Sequence, residues 1–395
     1  MTVAPTTPDL TSIREPLTRA CLGTDHGPRA AWAGRLDAVV DDVIAKAGAE
    51  HDGRGVIAGE ALDALRGIGA FGVQIPARWG GLGFDDDLAC LVVERVARAC
   101  ASTAAILMFH YQVVRRTLTH GDPSYRDDDL TAFADGTAIA CSAWTEADSG
   151  PDKSRVGTTL TSDGDVLRVQ GVKTFCTGLH TASVVHVLAD LRRDDGGSGP
   201  TFVRIPLDHE GVSVLPPYPL LGLRASGTAD LVLDAVPVGP AGLVGPPGGG
   251  PALMGVNHEV CLNPGMLALG VTFSALEAAT GFLARERPAA LGSDLVGGTL
   301  LHAVTRLEAA YAYAAHAVSL PPSPRARVAS GKVKTLTTAV AEDLTGALLS
   351  LVGSRAFRAD MPLERHLRDA RATSLMGPAD SLIQKRLMTS LFPSH

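Results

Sequence analysis

From Leu36 onward apolar residues recur three and four apart (Leu36, Val39, Val40, Val43, Ile44, Ala47), which predicts an amphipathic helix. A second helix is predicted over Ala61 to Ile68. A glycine-rich turn at Trp79-Gly-Gly-Leu-Gly follows, then a long apolar-periodic run from Leu88 through Val114. Between about residues 138 and 238 the period falls to two, with Val166, Arg168, Gln170 and Lys173 alternating with their neighbours and Ser162-Asp-Gly-Asp165 supplying a hairpin turn. Further strands are predicted at Val184 to Leu188, Phe202 to Ile205, Val212 to Leu215 and Leu231 to Leu233. After Gly245-Pro-Pro-Gly-Gly-Gly-Pro251 the helical period returns. Leu300, Leu301, Val304, Leu307, Tyr311 and Val318 share one face, as do Leu336, Val340, Leu344, Leu348 and Leu351.

The pattern divides the chain into a flexible arm (1–30), an N-terminal helical domain (31–135), a central β domain (136–240) and a C-terminal helical bundle (241–395). The fold class is α+β, with the last region expected as a four-helix bundle that also packs against copies of itself as a homodimer or homotetramer.

Composition narrows the function. Of the 395 residues 46% are hydrophobic and 19% charged, enough apolar surface to offset the entropy of ordering the chain. A formal charge of -7 with no Lys/Arg run argues against nucleic acid as a partner. Six scattered cysteines, with no CxxC pair and no His at ligand spacing, suit reduced thiols in a cytoplasmic protein and give no metal site. The apolar stretch Val260 to Leu276 contains Asn263, Pro264 and Gly265 and is short for a membrane span, so a buried helix is expected.

Particular segments go further. Ala140-Cys-Ser-Ala-Trp-Thr-Glu-Ala-Asp-Ser-Gly150 resembles the flavin-side signature of the acyl-CoA dehydrogenase family, with Thr145, Glu146 and Gly150 matching and Asp148 and Pro151 departing. Gly171-Val-Lys-Thr-Phe-Cys-Thr-Gly178 is similar to the family's Gly-x-Lys-x-Trp-Ile-Thr, with Phe175 in place of Trp and Thr177 kept. An aromatic ring can cover an isoalloxazine face, and a Thr can donate to a ring nitrogen. Leu221-Gly-Leu-Arg-Ala-Ser-Gly-Thr228 resembles a third segment, in which Arg224 reads as an ion-pair residue. Ser350-Leu-Val-Gly-Ser-Arg-Ala-Phe357, Met361-Pro-Leu-Glu-Arg365 and Leu367-Arg-Asp-Ala370 are similar to the family's C-terminal segments. The resemblance spans roughly residues 35 to 390. It implies bound FAD contacted by Thr145, Phe175, Thr177, Arg287, Ser350 and Gly353, the last group across a subunit interface.

The resemblance also implies a catalytic carboxylate, whose loss costs about 10² to 10⁴ in rate, roughly 3 to 5 kcal/mol. At the usual position stands Gly377, and at the alternative one Cys261. Glu259 is the candidate replacement, read equally as a helix-start carboxylate; Asp380 is a second, read as an exposed helix cap. His110 and Tyr111 fall where the family lines its acyl pocket with a helix, and Cys261 joins them as a pocket candidate.

Three functions follow. One is α,β-desaturation of an acyl thioester on CoA or a carrier protein, with a relocated base and an external electron acceptor. The second is a flavin-dependent monooxygenase fed by a partner reductase, which needs no α-proton base. The third is a degenerate flavoprotein that binds without turnover.

Overall fold

The computed structural model describes residues 9–23, 27–57, 59–148, 156–163, 166–192 and 198–392. The loop positions Gly150 and Pro151 lie outside them.

The N-terminal region begins earlier than its periodicity suggests. After a 3₁₀ turn at Thr11–Arg14, α1 (Glu15–Leu22) buries Leu17 and Cys21, and Ile13 is buried just before it. The expected flexible arm is therefore corrected: this part of residues 1–30 is docked. The reason is a buried ion pair, with Arg14 Nε donating to Glu94 Oε1 at 2.9 Å, too distant in sequence to read locally.

α2 (Pro28–Val39) continues through a π turn at Val40–Ile44 into α3 (Ala45–Arg54), and α4 (Gly59–Gly67) follows. The run from Leu88 to Val114 divides into α5 (Asp86–Ala99) and α6 (Ala101–His120), because Cys100 adopts an extended backbone between them. α7 (Pro123–Ala134) closes the region, its N-terminus capped by Asp122 accepting from Ser124 N.

Among the described residues the β domain is an eight-stranded sheet. Its strands are β1 (Ala140–Ala143), β2 (Thr159–Asp163), β3 (Val166–Cys176), β4 (Val184–Arg192), β5 (Ser198–Pro206), β6 (Val212–Val214), β7 (Ala229–Val238) and β8 (Leu243–Val244). The order is β6-β7-β3-β2-β4-β5-β8, with β1 added parallel to β4. Alternate residues such as Val185, Val187, Val203, Ile205, Leu231 and Leu233 form its own core.

Among the described residues six α-helices follow: α8 (Gly250–His258), α9 (Pro264–Glu286), α10 (Asp294–Val318), α11 (Pro324–Val352), α12 (Pro362–Leu375) and α13 (Asp380–Leu391). By length and composition α9 and α11 could cross a membrane, but 83% of the most apolar window of α9 is buried inside the fold. Its apolar residues join those of α5, α10 and α11 in the largest core. A Cβ at Gly270 would collide with the Glu94 carbonyl, so glycine there permits the close approach of α9 to α5.

Candidate active site

A cavity of about 670 Å³ opens between the β domain and the C-terminal helices. Its β wall draws on all three β-domain segments singled out in the sequence, with Thr145, Phe175, Thr177 and Leu223 among the lining residues. Glu146 holds that wall: it accepts from Lys173 Nζ at 2.6 Å, Gly157 N at 2.6 Å and Thr158 N at 2.9 Å. Although burial opposes ionisation, these donors bring the Glu146 carboxyl down to about 2. With β1 and β3 so fixed, Trp144, Thr145, Phe175 and Thr177 line the cavity. Phe175 has a left-handed backbone, φ 52°, and its side chain is 59% exposed. An aromatic ring held in the open at a strained position is a platform. It stacks on Tyr218, ring centroids 4.6 Å apart and planes at 22°. Thr228 donates to the Thr177 hydroxyl at 3.1 Å.

The helical wall is placed by the Arg-Asp-Ala segment. Arg368 Nη2 donates to Asp52 Oδ2 at 2.6 Å and to Glu364 Oε1 at 2.9 Å, while its Nη1 donates to Leu221 O at 2.9 Å. Asp369 accepts from Leu223 N at 2.7 Å, and burial pushes its carboxyl up to about 6. One helix thus clasps α3 and the Leu221–Leu223 turn. A Cβ at Gly222 would collide with the Arg368 carbonyl oxygen.

The cavity's ionisable lining is His258, Arg368, Arg371 and Arg386. Among the described residues that line it, none is acidic. Burial, together with Arg386, Lys334 and Arg327, brings His258 down to about 4, so it is neutral and weakly basic at pH 7.

Several site candidates are corrected. Glu259 does not line the cavity and does not start a helix; it caps the C-terminal end of α8 and pairs with Arg327 of α11. The same helix draws off Asp380, whose carboxylate takes Lys334 Nζ at 2.5 Å and the Thr338 hydroxyl at 2.6 Å instead of serving as an exposed cap. Cys261 is fully buried, with a left-handed backbone (φ 59°), and burial pushes its thiol up to about 12. His110 and Tyr111 face away from the cavity, into the packing between α6 and the Ala70–Phe71 turn. His110 Nε2 donates to Phe71 O at 3.1 Å, its Nδ1 accepts from Ala140 N at 3.2 Å, and Tyr111 donates to Ala70 O at 2.6 Å. Their neighbour Phe109 reaches the cavity instead, because successive residues on a helix are rotated by about 100°.

The second group of candidates lies elsewhere. Arg287 Nη1 donates to Val352 O at 3.2 Å, which puts Arg287 beside the end of α11, where Ser350 donates to Gly346 O and Gly353 has φ 83°. None of Arg287, Ser350 and Gly353 lines the cavity, whereas Gly377 does. Local sequence reasoning missed Trp144, Phe109, Arg371 and Arg386; only the position of Trp144 next to Thr145 could have signalled one of them.

Three domain families match consecutive stretches: the acyl-CoA dehydrogenase N-terminal domain at residues 30–137, the middle domain at 141–236 and the C-terminal domain at 257–388. The chain belongs to the acyl-CoA dehydrogenase family. It is similar to the L-evernosamine nitrososynthase of a Micromonospora species, with 34% identity over 87% of this chain and 85% of that protein. It is also similar to a Mycobacterium tuberculosis protein named "Probable acyl-CoA dehydrogenase FadE25", with 29% identity over 86% of this chain and 89% of that protein. A solved structure of FMN-bound TdsC from Paenibacillus superposes with a TM-score of 0.80 at 22% identity, covering 91% of this chain and 97% of that one. Members of this family are flavin oxidoreductases. The open Phe175 ring and the Thr145 and Thr177 hydroxyls fit a flavin, whose ring offers a broad apolar face and a polar edge.

Proposed function

We propose that the chain is a flavin-dependent monooxygenase supplied with reduced flavin by a separate reductase. The observation that carries this reading is the absence of any acidic side chain among the described residues lining the cavity. Desaturation of a thioester requires a base for the α proton. Gly377 offers none, Glu259 is committed to Arg327, and His258 is held at a basicity too low for the task. Oxygenation needs no such base.

Flavin, FAD on the family resemblance with FMN as the alternative, supplies the activation of dioxygen when bound. Phe175 would cover its ring, Thr145 and Thr177 would meet its polar edge, and Phe109, Trp144 and Leu375 would keep bulk water from the reacting atoms. Arg386, with neutral His258 as a hydrogen-bonding neighbour, suits a substrate bearing an anionic group, whereas Arg371 is already paired with Glu342. The nitrososynthase relative supports a nitrogen centre as the atom oxidised.

The test is incorporation of one oxygen atom from labelled dioxygen into amine-bearing substrates in the presence of a flavin reductase. The expected result is protein-dependent labelling, with no anaerobic bleaching of bound flavin by short- or long-chain acyl thioesters. Bleaching by any thioester of that panel restores the dehydrogenase reading and overturns this one.

A further inference from the structure

Behind the β wall, Arg116 of α6, Ser142 of β1 and His186 of β4 form a buried cluster. Ser142 and His186 are register partners in the parallel β1/β4 ladder, so their side chains leave the sheet on one face. Arg116 docks onto both. Its Nη2 donates to Ser142 Oγ, its Nε donates to His186 Nδ1 at 3.3 Å, and its guanidinium carbon lies 4.5 Å from the centre of the Phe202 ring. No described carboxylate pairs with it; Asp129 is committed to Arg204 at 2.5 Å. Arg116 is therefore an enclosed cation, 2% exposed, without a counter-charge among the described residues.

The hydrogen bonds then fix a direction. Arginine has donors only, and His186, accepting at Nδ1, carries its proton at Nε2. Arg116 Nη1 and His186 Nε2 have no partner among the described residues. The side-chain acceptors in this cluster, Ser142 Oγ and His186 Nδ1, are both taken by Arg116. Ser142 cannot give its own proton inside the cluster. It lines the cavity three residues before Thr145, on the wall that carries Phe175 and Thr177.

We propose that Ser142 donates a hydrogen bond to the polar edge of the flavin, and that Arg116 is the positioning residue that orients this hydroxyl and biases the site toward reduced, anionic flavin. The oxidised ring is neutral, and taking up two electrons and one proton from an external reductant leaves it an anion. A preorganised donor backed by a buried cation favours the anion over the neutral ring. The inference rests on flavin occupying the cavity and is independent of whether oxygenation or desaturation follows.

The experiment compares the affinities of oxidised and dithionite-reduced FMN and FAD for the full-length protein, under anaerobic conditions, in wild type, Ser142→Ala, Arg116→Lys and Arg116→Gln. In Ser142→Ala, reduced-flavin affinity falls about tenfold and oxidised-flavin affinity less than about twofold, as expected for one hydrogen bond to a charged acceptor. Arg116→Gln gives a larger loss of the same sense, and Arg116→Lys, which keeps the charge, an intermediate one. If Arg116→Gln fails to fold, the other two variants decide. A Ser142→Ala protein whose two affinities move together, or not at all, overturns the inference while leaving the flavin site standing. A wild type that binds neither form of flavin overturns the flavin reading itself, and this inference with it.

Discussion

Lys173 Nζ lies 2.6 Å from Glu146 Oε1, a buried ion pair that joins strand β3 to the segment following β1. The two residues flank the cavity wall without touching the cavity. A sequence match that reads as chemistry is here a brace for Thr145, Phe175 and Thr177.

Glu146→Gln should therefore destabilise the fold by roughly 3 kcal/mol, because it removes the carboxylate that accepts from the buried Lys173 ammonium and from Gly157 N and Thr158 N. The Glu146 carboxyl is depressed from its ordinary value to about 2. Its contribution is then fully present above about pH 4.5 and lost as pH falls toward 2. Urea unfolding at pH 7 and pH 3 checks this: the gap between wild type and variant should narrow at the lower pH.

Arg14 reaches from the N-terminal 3₁₀ turn to the buried Glu94, which also accepts from the Tyr311 hydroxyl at 2.6 Å. Arg14→Met should cost about 3 kcal/mol, since the Glu94 carboxylate stays in the core with the more distant Arg95, 3.6 Å away, as its remaining described ion-pair partner. A thermal melt that shows no loss would mean the segment is not docked in solution.

Phe175→Ala should weaken flavin binding about three- to tenfold, the size expected when an aromatic stacking partner is removed. Fluorescence titration with FAD and FMN measures it. Folding should be little affected, because the ring is exposed.

Gly222→Ala should act on the site from a distance. The added methyl meets the Arg368 carbonyl oxygen, which pushes the Leu221–Leu223 turn off α12 and breaks the bond from Leu223 N to Asp369. The expected outcome is a loss of about 1 to 3 kcal/mol in stability, as for other overpacked positions, with weaker flavin retention on gel filtration.

Glu259→Gln should leave turnover within about twofold of wild type, because the carboxylate is paired with Arg327 and does not reach the cavity where a general base would act. A loss beyond about a hundredfold, the range of a missing general base, would return Glu259 to the mechanism.

By itself the sequence determined the order of helices, sheet and helices, because the change from a period near 3.6 to a period of two and back is a local property of the chain. Two segments of the cavity wall were legible for the same reason: Thr145 with Glu146, and Phe175 with Thr177, lie within short stretches of one strand end each. What only the tertiary structure decided is everything that depends on two distant elements meeting. Phe109 rather than His110 enters the cavity through the rotation of α6, and Arg287, Ser350 and Gly353 gather beside one another but away from Thr145. Whether Glu259 could act as a base turned on Arg327, a partner 68 residues along the chain, and the charge behind Ser142 on an arginine 26 residues before it. Burial and pairing are set by packing, and a linear pattern carries neither partner nor depth.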